Sequence, residues 1–204
     1  MKNRVDNESF ETEALDVLLR HIEAFLQKQT IKTIDLKPYF EVLDVKKKCD
    51  LMLPNEKCDA QYFVVNGCLR MYYINDKGNE QTTQFALENW WMSDYKSYAR
   101  AGTTQFGIQA VEPTICLKIT LPQWEKCLEK HPQLERYFRI IFQKSYAAGQ
   151  YRMVFSTEFS KEEQFRHFSE TYPEFIQRIP QYLLASFLGF TPEYLSEIRK
   201  KKTS

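Results

Sequence analysis

The sequence lacks the features of a membrane-spanning, secreted or disulfide-bonded protein. It contains no run of about twenty apolar residues, which a membrane-spanning helix needs, and no apolar N-terminal stretch followed by a cleavage site. Its cysteines are few and odd in number, with no C-x-x-C pair among them: Cys49, Cys58, Cys68, Cys116 and Cys127. We therefore expect a soluble, cytoplasmic protein with free thiols and no membrane partner.

Signatures of catalysis and of bound metals are missing as well. The sequence has no glycine-rich phosphate loop, no G-x-S-x-G and no paired catalytic carboxylates. Its three histidines, His21, His131 and His167, fall in predicted helices or at helix ends, where we expect them to be solvated. A cupin-type metal site needs histidines from barrel strands, and an iron–sulfur cluster needs closely spaced thiolates. The sequence thus predicts neither an enzyme nor a metal or cofactor.

The formal net charge of +1 conceals an uneven distribution along the chain. From residue 176 onward there are five basic and two acidic residues, whereas the rest has 23 basic and 25 acidic residues. A near-neutral body with a basic end predicts a local contact with a polyanion. The hydrophobic content of 43% in 204 residues is sufficient for the core of one large or two small domains.

The first half of the chain predicts a helix followed by a small antiparallel β-structure. Apolar residues at helical spacing indicate an amphipathic helix from Glu13 to Gln27. Short apolar or alternating runs, separated by turn residues, then fill residues 35–119. Asn66-Gly67 and residues 75–79 lie between such runs and predict two hairpins. Many short strands at this spacing predict a barrel or jelly roll, so the expected fold class is α+β.

The second half predicts helices. A short helix is expected from Pro122 to Lys130, a long one from Pro132 to about Phe155, and a capping box at Ser160 for the next. Along the long helix, mostly apolar residues recur alternately every four and three positions, which is typical of a homodimer seam. The seam positions are Leu134, Phe138, Ile141, Ser145, Ala148, Arg152 and Phe155. Packing of this helix on its own domain is the alternative.

Residues 179–202 carry the strongest pattern, which predicts a helix-turn-helix. Pro180 suits the first turn of one helix, and Gly189 suits a sharp turn with positive φ. Thr191 can cap the next helix, and Pro192 fits its first position. A short second helix with a polar face and a basic end is what the major groove of DNA accepts. An ordinary helical hairpin is the alternative.

A β-barrel, a long helix and a helix-turn-helix in this order resemble the Crp/Fnr family of bacterial transcription regulators. The best-matched stretches are Tyr62-Phe63-Val64-Val65-Asn66-Gly67-Cys68-Leu69-Arg70 and the residues from Ile179-Pro180 to Lys202. The second stretch, with no winged hairpin after it, is similar to a short branch of the family common in Bacteroidetes. The resemblance implies a cyclic-nucleotide-binding-type β-roll at 1–130, a dimerisation helix at 131–157 and a helix-turn-helix domain at 158–204. It also implies a homodimer that binds palindromic double-stranded DNA, a small-molecule effector, and RNA polymerase as a partner.

The chain departs from that family at the phosphate-binding residues. Ser93-Asp94 occupy the places of the family's Gly-Glu pair, and Thr104-Gln105 occupy those of its Arg-Ser pair. The charged group that would pair with a cyclic phosphate is therefore absent. We expect an effector pocket at these four residues that has kept its shape, and an effector other than cyclic AMP.

The residues predicted to face DNA are Thr191, Glu193, Tyr194, Ser196, Glu197, Arg199, Lys200 and Lys201. Glu193 can accept a hydrogen bond from a cytosine amino group, and Tyr194 or Ser196 can reach a base edge or a phosphate. The basic residues at the end of the helix would position the duplex through its phosphates. The alternative function is a ligand- or partner-binding β-roll whose helical end docks a protein instead of DNA.

Overall fold

The structure, a computed structural model, describes residues 4–26 and 34–203, with side chains from 8 to 26 and from 34 to 200. Its helices are α1 (Arg4–Glu23), α2 (Tyr95–Tyr98), α3 (Leu121–Lys130), α4 (Leu134–Glu158), α5 (Lys161–Thr171), α6 (Pro173–Arg178), α7 (Gln181–Leu188) and α8 (Pro192–Thr203). Its strands are β1 (Glu41–Val45), β2 (Asp50–Met52), β3 (Ala60–Asn66), β4 (Leu69–Ile74), β5 (Glu80–Ala86), β6 (Trp91–Met92), β7 (Phe106–Ala110) and β8 (Thr114–Thr120). Helix α1 begins earlier than predicted and ends at Glu23, four residues before the predicted end at Gln27, which itself lies outside the described residues.

The strands of the described part form two antiparallel four-stranded sheets. The first sheet has the order β1-β8-β3-β6 and the second has the order β2-β7-β4-β5. Apolar side chains of both sheets meet in a buried core between them, with Tyr62 and Cys116 from the first sheet and Leu69 and Ile108 from the second. This is the predicted jelly-roll-like β-roll, and the fold is α+β as expected.

The turn at Asn66-Gly67 corrects one expectation. Strand β3 pairs with β6 and β8, whereas β4 pairs with β5 and β7, so this turn leads from one sheet to the other and closes no hairpin. Gly67 has a φ of +104°, and a Cβ there would lie 2.7 Å from the Pro113 carbonyl oxygen, so the turn requires glycine. The other predicted turn, at residues 75–79, does join two paired strands, β4 and β5.

A second core lies between the outer face of the first sheet and the helices α1, α3 and α4. It contains Leu18 and Ile22 of α1, Phe63 and Leu117 of the sheet, Trp124 of α3, and Leu134, Tyr137 and Phe138 of α4. Leu134 is 1% exposed and Phe138 is 5% exposed. The predicted dimer seam is wrong at these two positions, because the start of α4 lies against its own β-roll and covers both side chains within the protomer.

The histidines and thiols are placed partly as predicted. His131 is buried at the end of α3, and the Nδ1 atom of His21 lies 2.7 Å from the Tyr137 hydroxyl oxygen. The ring of His167 stacks on Phe155. Solvation was therefore the wrong expectation for His131, which is 5% exposed and whose ring centroid lies 6.1 Å from that of Tyr39. All five cysteines are free, with Cys49 exposed.

The helical half follows the predicted start and stop signals. Ser160 Oγ accepts a hydrogen bond from Glu163 N, and the Glu163 carboxylate accepts one from Ser160 N, which is the predicted capping box. Helix α5 ends at Thr171, directly before Tyr172-Pro173. Helices α5 to α8 share a buried core. No helix of the described residues is long and apolar enough to cross a membrane.

Candidate DNA-binding surface and effector pocket

Helices α7 and α8 form the predicted helix-turn-helix. Gly189, between them, has a φ of +71° and a ψ of 31°, the left-handed conformation that favours glycine at the end of a helix. The Thr191 hydroxyl accepts a hydrogen bond from Tyr194 N at 3.2 Å and so caps α8. Leu195 and Ile198 are buried, at 0% and 6% exposure. These contacts fix which face of α8 is turned outward.

The outward face of α8 is polar. Thr191, Glu193, Glu197, Arg199 and Lys200 are exposed, whereas Tyr194 and Ser196 are half-buried. The side chain of Lys201 lies outside the described residues. The acidic residues stand in the first two turns and the described basic residues in the last part of the helix, so the charge along α8 is segregated. Such a surface offers hydrogen-bond acceptors at one end and cations at the other.

Two residues of α5, Lys161 and Glu162, contact the first turn of α8. The sequence pattern did not predict this contact. The Lys161 ammonium lies 5.6 Å from the centre of the Tyr194 ring and 5.7 Å from that of Phe190. Burial and a hydrogen bond with the Glu162 side chain raise the pKa of the Tyr194 hydroxyl. Tyr194 is therefore directed toward α5, and this position leaves Glu193 and Glu197 more accessible than Tyr194.

The structure brings Asp94 and Thr104, ten residues apart in sequence, into direct contact. The Thr104 hydroxyl donates to Asp94 Oδ2 at 2.9 Å and accepts from Phe106 N at 3.0 Å. The Asp94 side chain also caps α2 by accepting from Ser97 N. Burial alone would raise the pKa of Asp94, but hydrogen bonds from Ser97 and Thr104 outweigh it and hold the pKa below its ordinary value. The carboxylate is thus ionised at neutral pH, and each of its oxygens accepts a hydrogen bond from the protein.

The other two residues of the predicted effector pocket do not join this contact. The Ser93 hydroxyl donates to the Ala60 carbonyl at 2.9 Å, and Gln105 is exposed. Two surface clefts, of about 380 and 260 Å³, lie in the described part of the protein. The first is lined by α1 and the Val65–Asn66 end of β3, and the second by residues 38–41 and β8. Neither cleft includes any of the four predicted pocket residues.

From Phe142 onward, α4 carries exposed apolar side chains, three of which each follow directly after a residue of the predicted seam. Phe142, Tyr146 and Met153 are 37%, 70% and 66% exposed. With Gly149, they are spaced by four, three and four residues, so they form one stripe along the helix. A Cβ on Gly149 would meet nothing within 4 Å. Of the predicted seam, Ile141 is half-buried and Ala148 is exposed.

The described residues contain no group of three or more His, Cys, Asp or Glu side chains that could hold a metal ion.

Comparisons with known proteins identify the fold. No protein-family model matches the sequence, and no curated protein matches it either. FixK2 from Bradyrhizobium japonicum is similar in structure, with a TM-score of 0.65 at 16% identity over 79% of this chain and 83% of that one. The c-di-GMP-responsive global regulator CLP from Xanthomonas campestris has a TM-score of 0.68 at 14% identity, over 86% of this chain and 91% of that one. A Crp/Fnr-family transcriptional regulator from Eubacterium rectale has a TM-score of 0.62 at 17% identity, over 86% and 83%. The chain has the fold of Crp/Fnr transcription regulators.

Proposed function

We propose that this protein is a DNA-binding transcription regulator of the Crp/Fnr type, and not an enzyme. The fold is shared with proteins of that kind. The helix-turn-helix has the left-handed turn at Gly189, the Thr191 cap on α8 and a buried face. The observation that carries the proposal is the outward face of α8, where Glu193, Glu197 and Arg199 are exposed on a helix held rigidly from behind by Leu195 and Ile198.

Helix α8 enters the major groove with its N-terminal end toward the bases. Glu193 accepts a hydrogen bond from a cytosine amino group, and Thr191 and Ser196 reach a base edge or a phosphate. Arg199, Lys200 and Lys201 lie farther along the helix and position the duplex through its phosphates. Tyr194 is directed toward α5. Its main role is to support the first turn of α8, and it contributes less to the recognition of DNA bases.

The protein acts as a homodimer through the stripe formed by Phe142, Tyr146, Gly149 and Met153. An exposed row of large apolar side chains on a monomer is unfavourable in water, and a second copy of the same helix offers a matching row. Gly149 lets the two helix backbones approach closely at the middle of the stripe. This stripe takes the place of the predicted seam, whose Leu134 and Phe138 are buried within the protomer.

Two tyrosines on α4 give a matched test of this dimer. Tyr146 and Tyr151 are 70% and 71% exposed, but five residues place them about 140° apart around the helix. We expect Tyr146→Asp to produce a monomer in sedimentation at micromolar concentration and Tyr151→Asp to leave the dimer intact. A monomeric wild type, or dissociation by both variants alike, would contradict the stripe as the interface.

The β-roll does not use cyclic AMP as its effector. A charge-assisted hydrogen bond to the phosphate contributes roughly 1.5–3 kcal/mol, and losing it weakens binding by about one to two decades. At the corresponding place Thr104 is bonded to Asp94, and that carboxylate would repel a phosphate. We expect titration calorimetry to give no binding of cyclic AMP in the low micromolar range. We propose that the β-roll binds a small effector of another chemistry and that the protein contacts RNA polymerase.

Selection from a pool of random duplexes tests the proposed function. We expect wild-type protein to return a two-fold symmetric motif, with half-sites about one helical turn apart, and binding that weakens steeply as salt rises. Selection that returns no symmetric motif would overturn the proposal and favour a partner-docking β-roll module.

A further inference from the structure

The helix-turn-helix of this chain is packed directly on its own β-roll. One buried core contains Cys68, Phe85, Leu87 and Val111 of the roll together with Phe175, Ile179, Leu183 and Leu184 of the helical half. Phe85 contacts both Phe175 and Phe187 through their rings, with centroids 6.0 and 5.2 Å apart. The orientation of α7 and α8 relative to the second sheet is therefore set by side chains, and not only by the chain connection at residues 158–161.

At one end of this interface, Arg178 of α6 binds three turns of the β-roll. Its guanidinium donates to both carboxylate oxygens of Glu88 at 2.9 Å, to Glu112 at 2.5 Å and to the Gly67 carbonyl at 3.1 Å. Glu88 also accepts from Gly67 N at 2.8 Å. We call Arg178, Glu88, Glu112 and Gly67 the Arg178 cluster. A planar guanidinium bound at three sites has little freedom to rotate, so the cluster fixes the start of the helix-turn-helix.

At the other end of the interface, Ser186 of α7 binds the edge strand β5. The Ser186 hydroxyl accepts from Thr82 N at 2.9 Å and donates to the Glu80 carbonyl at 3.2 Å. Strand β5 is the last of its sheet, and an edge strand exposes backbone groups that lack a neighbouring strand. The guanidinium of Arg152 in α4 donates a hydrogen bond to the Phe187 carbonyl at 3.3 Å, and its central carbon lies 4.0 Å from the centre of the Phe187 ring. The segment from Arg178 of α6 to Phe187 of α7 is thus held at both ends.

We infer that Arg178 is a positioning residue for DNA binding, an inference that rests on the proposed function. A dimer that binds two half-sites needs its two recognition helices at a fixed separation. If the helical half were free to move, only a fraction of molecules would have the binding geometry, and the apparent affinity would fall by that fraction. The Arg178 cluster and Ser186 hold that geometry while Thr191, Glu193 and Glu197 remain exposed. Docking on the β-roll therefore sets the half-site spacing.

The test measures the affinity of the full-length protein for duplexes that carry the motif returned by selection. In one set of duplexes the half-site spacing is lengthened or shortened by one or two base pairs, and a further duplex has only one half-site. For Arg178→Ala we expect about tenfold weaker binding at the wild-type spacing, or ~1.4 kcal/mol. We expect the affinity of this variant to differ less between the half-site spacings than the affinity of wild type does. Its affinity for the duplex with one half-site should be within about twofold of wild type. Arg166→Ala, which removes an exposed charge of the same sign from α5, should keep the wild-type spacing preference.

A second variant keeps the test decisive if Arg178→Ala does not fold. Ser186→Ala removes the contact at the opposite end of the interface, near the C-terminal end of α7. It leaves the Arg178 cluster in place and should relax the spacing preference in the same direction. Unchanged spacing preference in a folded Arg178→Ala or in Ser186→Ala would overturn the inference and leave the proposed function standing. A wild type that selects no symmetric motif would overturn both.

Discussion

The effector positions of the β-roll and the outward face of α8 use polar residues in opposite ways. In the roll, Asp94 and Thr104 are 8% and 0% exposed and bind each other. On α8, Glu193 and Glu197 are exposed on a helix whose other face is buried. Polar groups that satisfy one another stabilise a fold, whereas polar groups held rigidly toward solvent remain available to a partner. Under the proposed function we therefore expect recognition to reside in α8, and we expect Asp94 and Thr104 to have a structural role.

The largest effect is expected from the basic end of α8. Replacing Arg199 and Lys200 together with Ala should weaken binding about a hundredfold for all duplex sequences alike, because two charge-assisted phosphate contacts are lost. The slope of log affinity against log salt should become shallower by about two units. Fluorescence anisotropy over a salt series measures both quantities. Lys47→Ala, an exposed lysine near β1, serves as the control, and an equal loss in that variant would show a general charge effect.

A smaller effect, on stability alone, is expected from the roll. Thr104→Val should lower the free energy of unfolding by about 1–3 kcal/mol, because buried Asp94 loses a donor and Phe106 N loses an acceptor. Denaturant unfolding measures the loss, and Thr103→Val at the exposed neighbouring position is the control. DNA affinity at temperatures where the variant is folded should match wild type. A specific loss of DNA binding in the folded variant would argue that this contact has a regulatory role.

Gly189→Ala should cost about 1 kcal/mol of stability, because a Cβ is strained at its φ of +71°. No atom lies within 4 Å of the added Cβ, so the cost comes from the backbone and not from a clash. Gly102→Ala, where φ is not positive and the nearest atom is 3.8 Å away, should change stability by less than about 0.5 kcal/mol. Equal thermal midpoints for the two variants would mean that the turn tolerates a side chain.

The smallest effect concerns pH. Burial would raise the pKa of Glu88, but hydrogen bonds from Arg178 and Gly67 N outweigh it and lower the pKa from its ordinary 4.5. A carboxylate with a lowered pKa in the folded state contributes stability above its unfolded pKa, and loses that contribution as pH falls through the folded value. Unfolding free energy should therefore decrease below about pH 4.5 less steeply in Glu88→Gln than in wild type. Identical pH profiles would contradict a charged Glu88 in the Arg178 cluster.

Local signals in the sequence predicted most elements of the fold. The capping box at Ser160, the left-handed Gly189 and the Thr191 cap depend on short-range geometry, and each is present. The prediction of a hairpin at Asn66-Gly67 was wrong, because strand pairing depends on the whole sheet and not on the turn alone. A four-three spacing predicted a seam through Leu134 and Phe138, but spacing alone does not distinguish a partner helix from the protein's own core. The contacts of Arg178 join residues as far apart as 111 positions, which no local pattern reveals.

The most direct test of sequence recognition by α8 compares the motifs selected by wild type and by Glu193→Ala, with Glu174→Ala of α6 as the control. We expect Glu193→Ala to keep the two-fold symmetry and the half-site spacing. It should lose preference at one base pair in each half-site, with a change in discrimination of about 1–3 kcal/mol. A Glu193→Ala motif identical to that of wild type at every position would contradict base reading by the exposed face of α8.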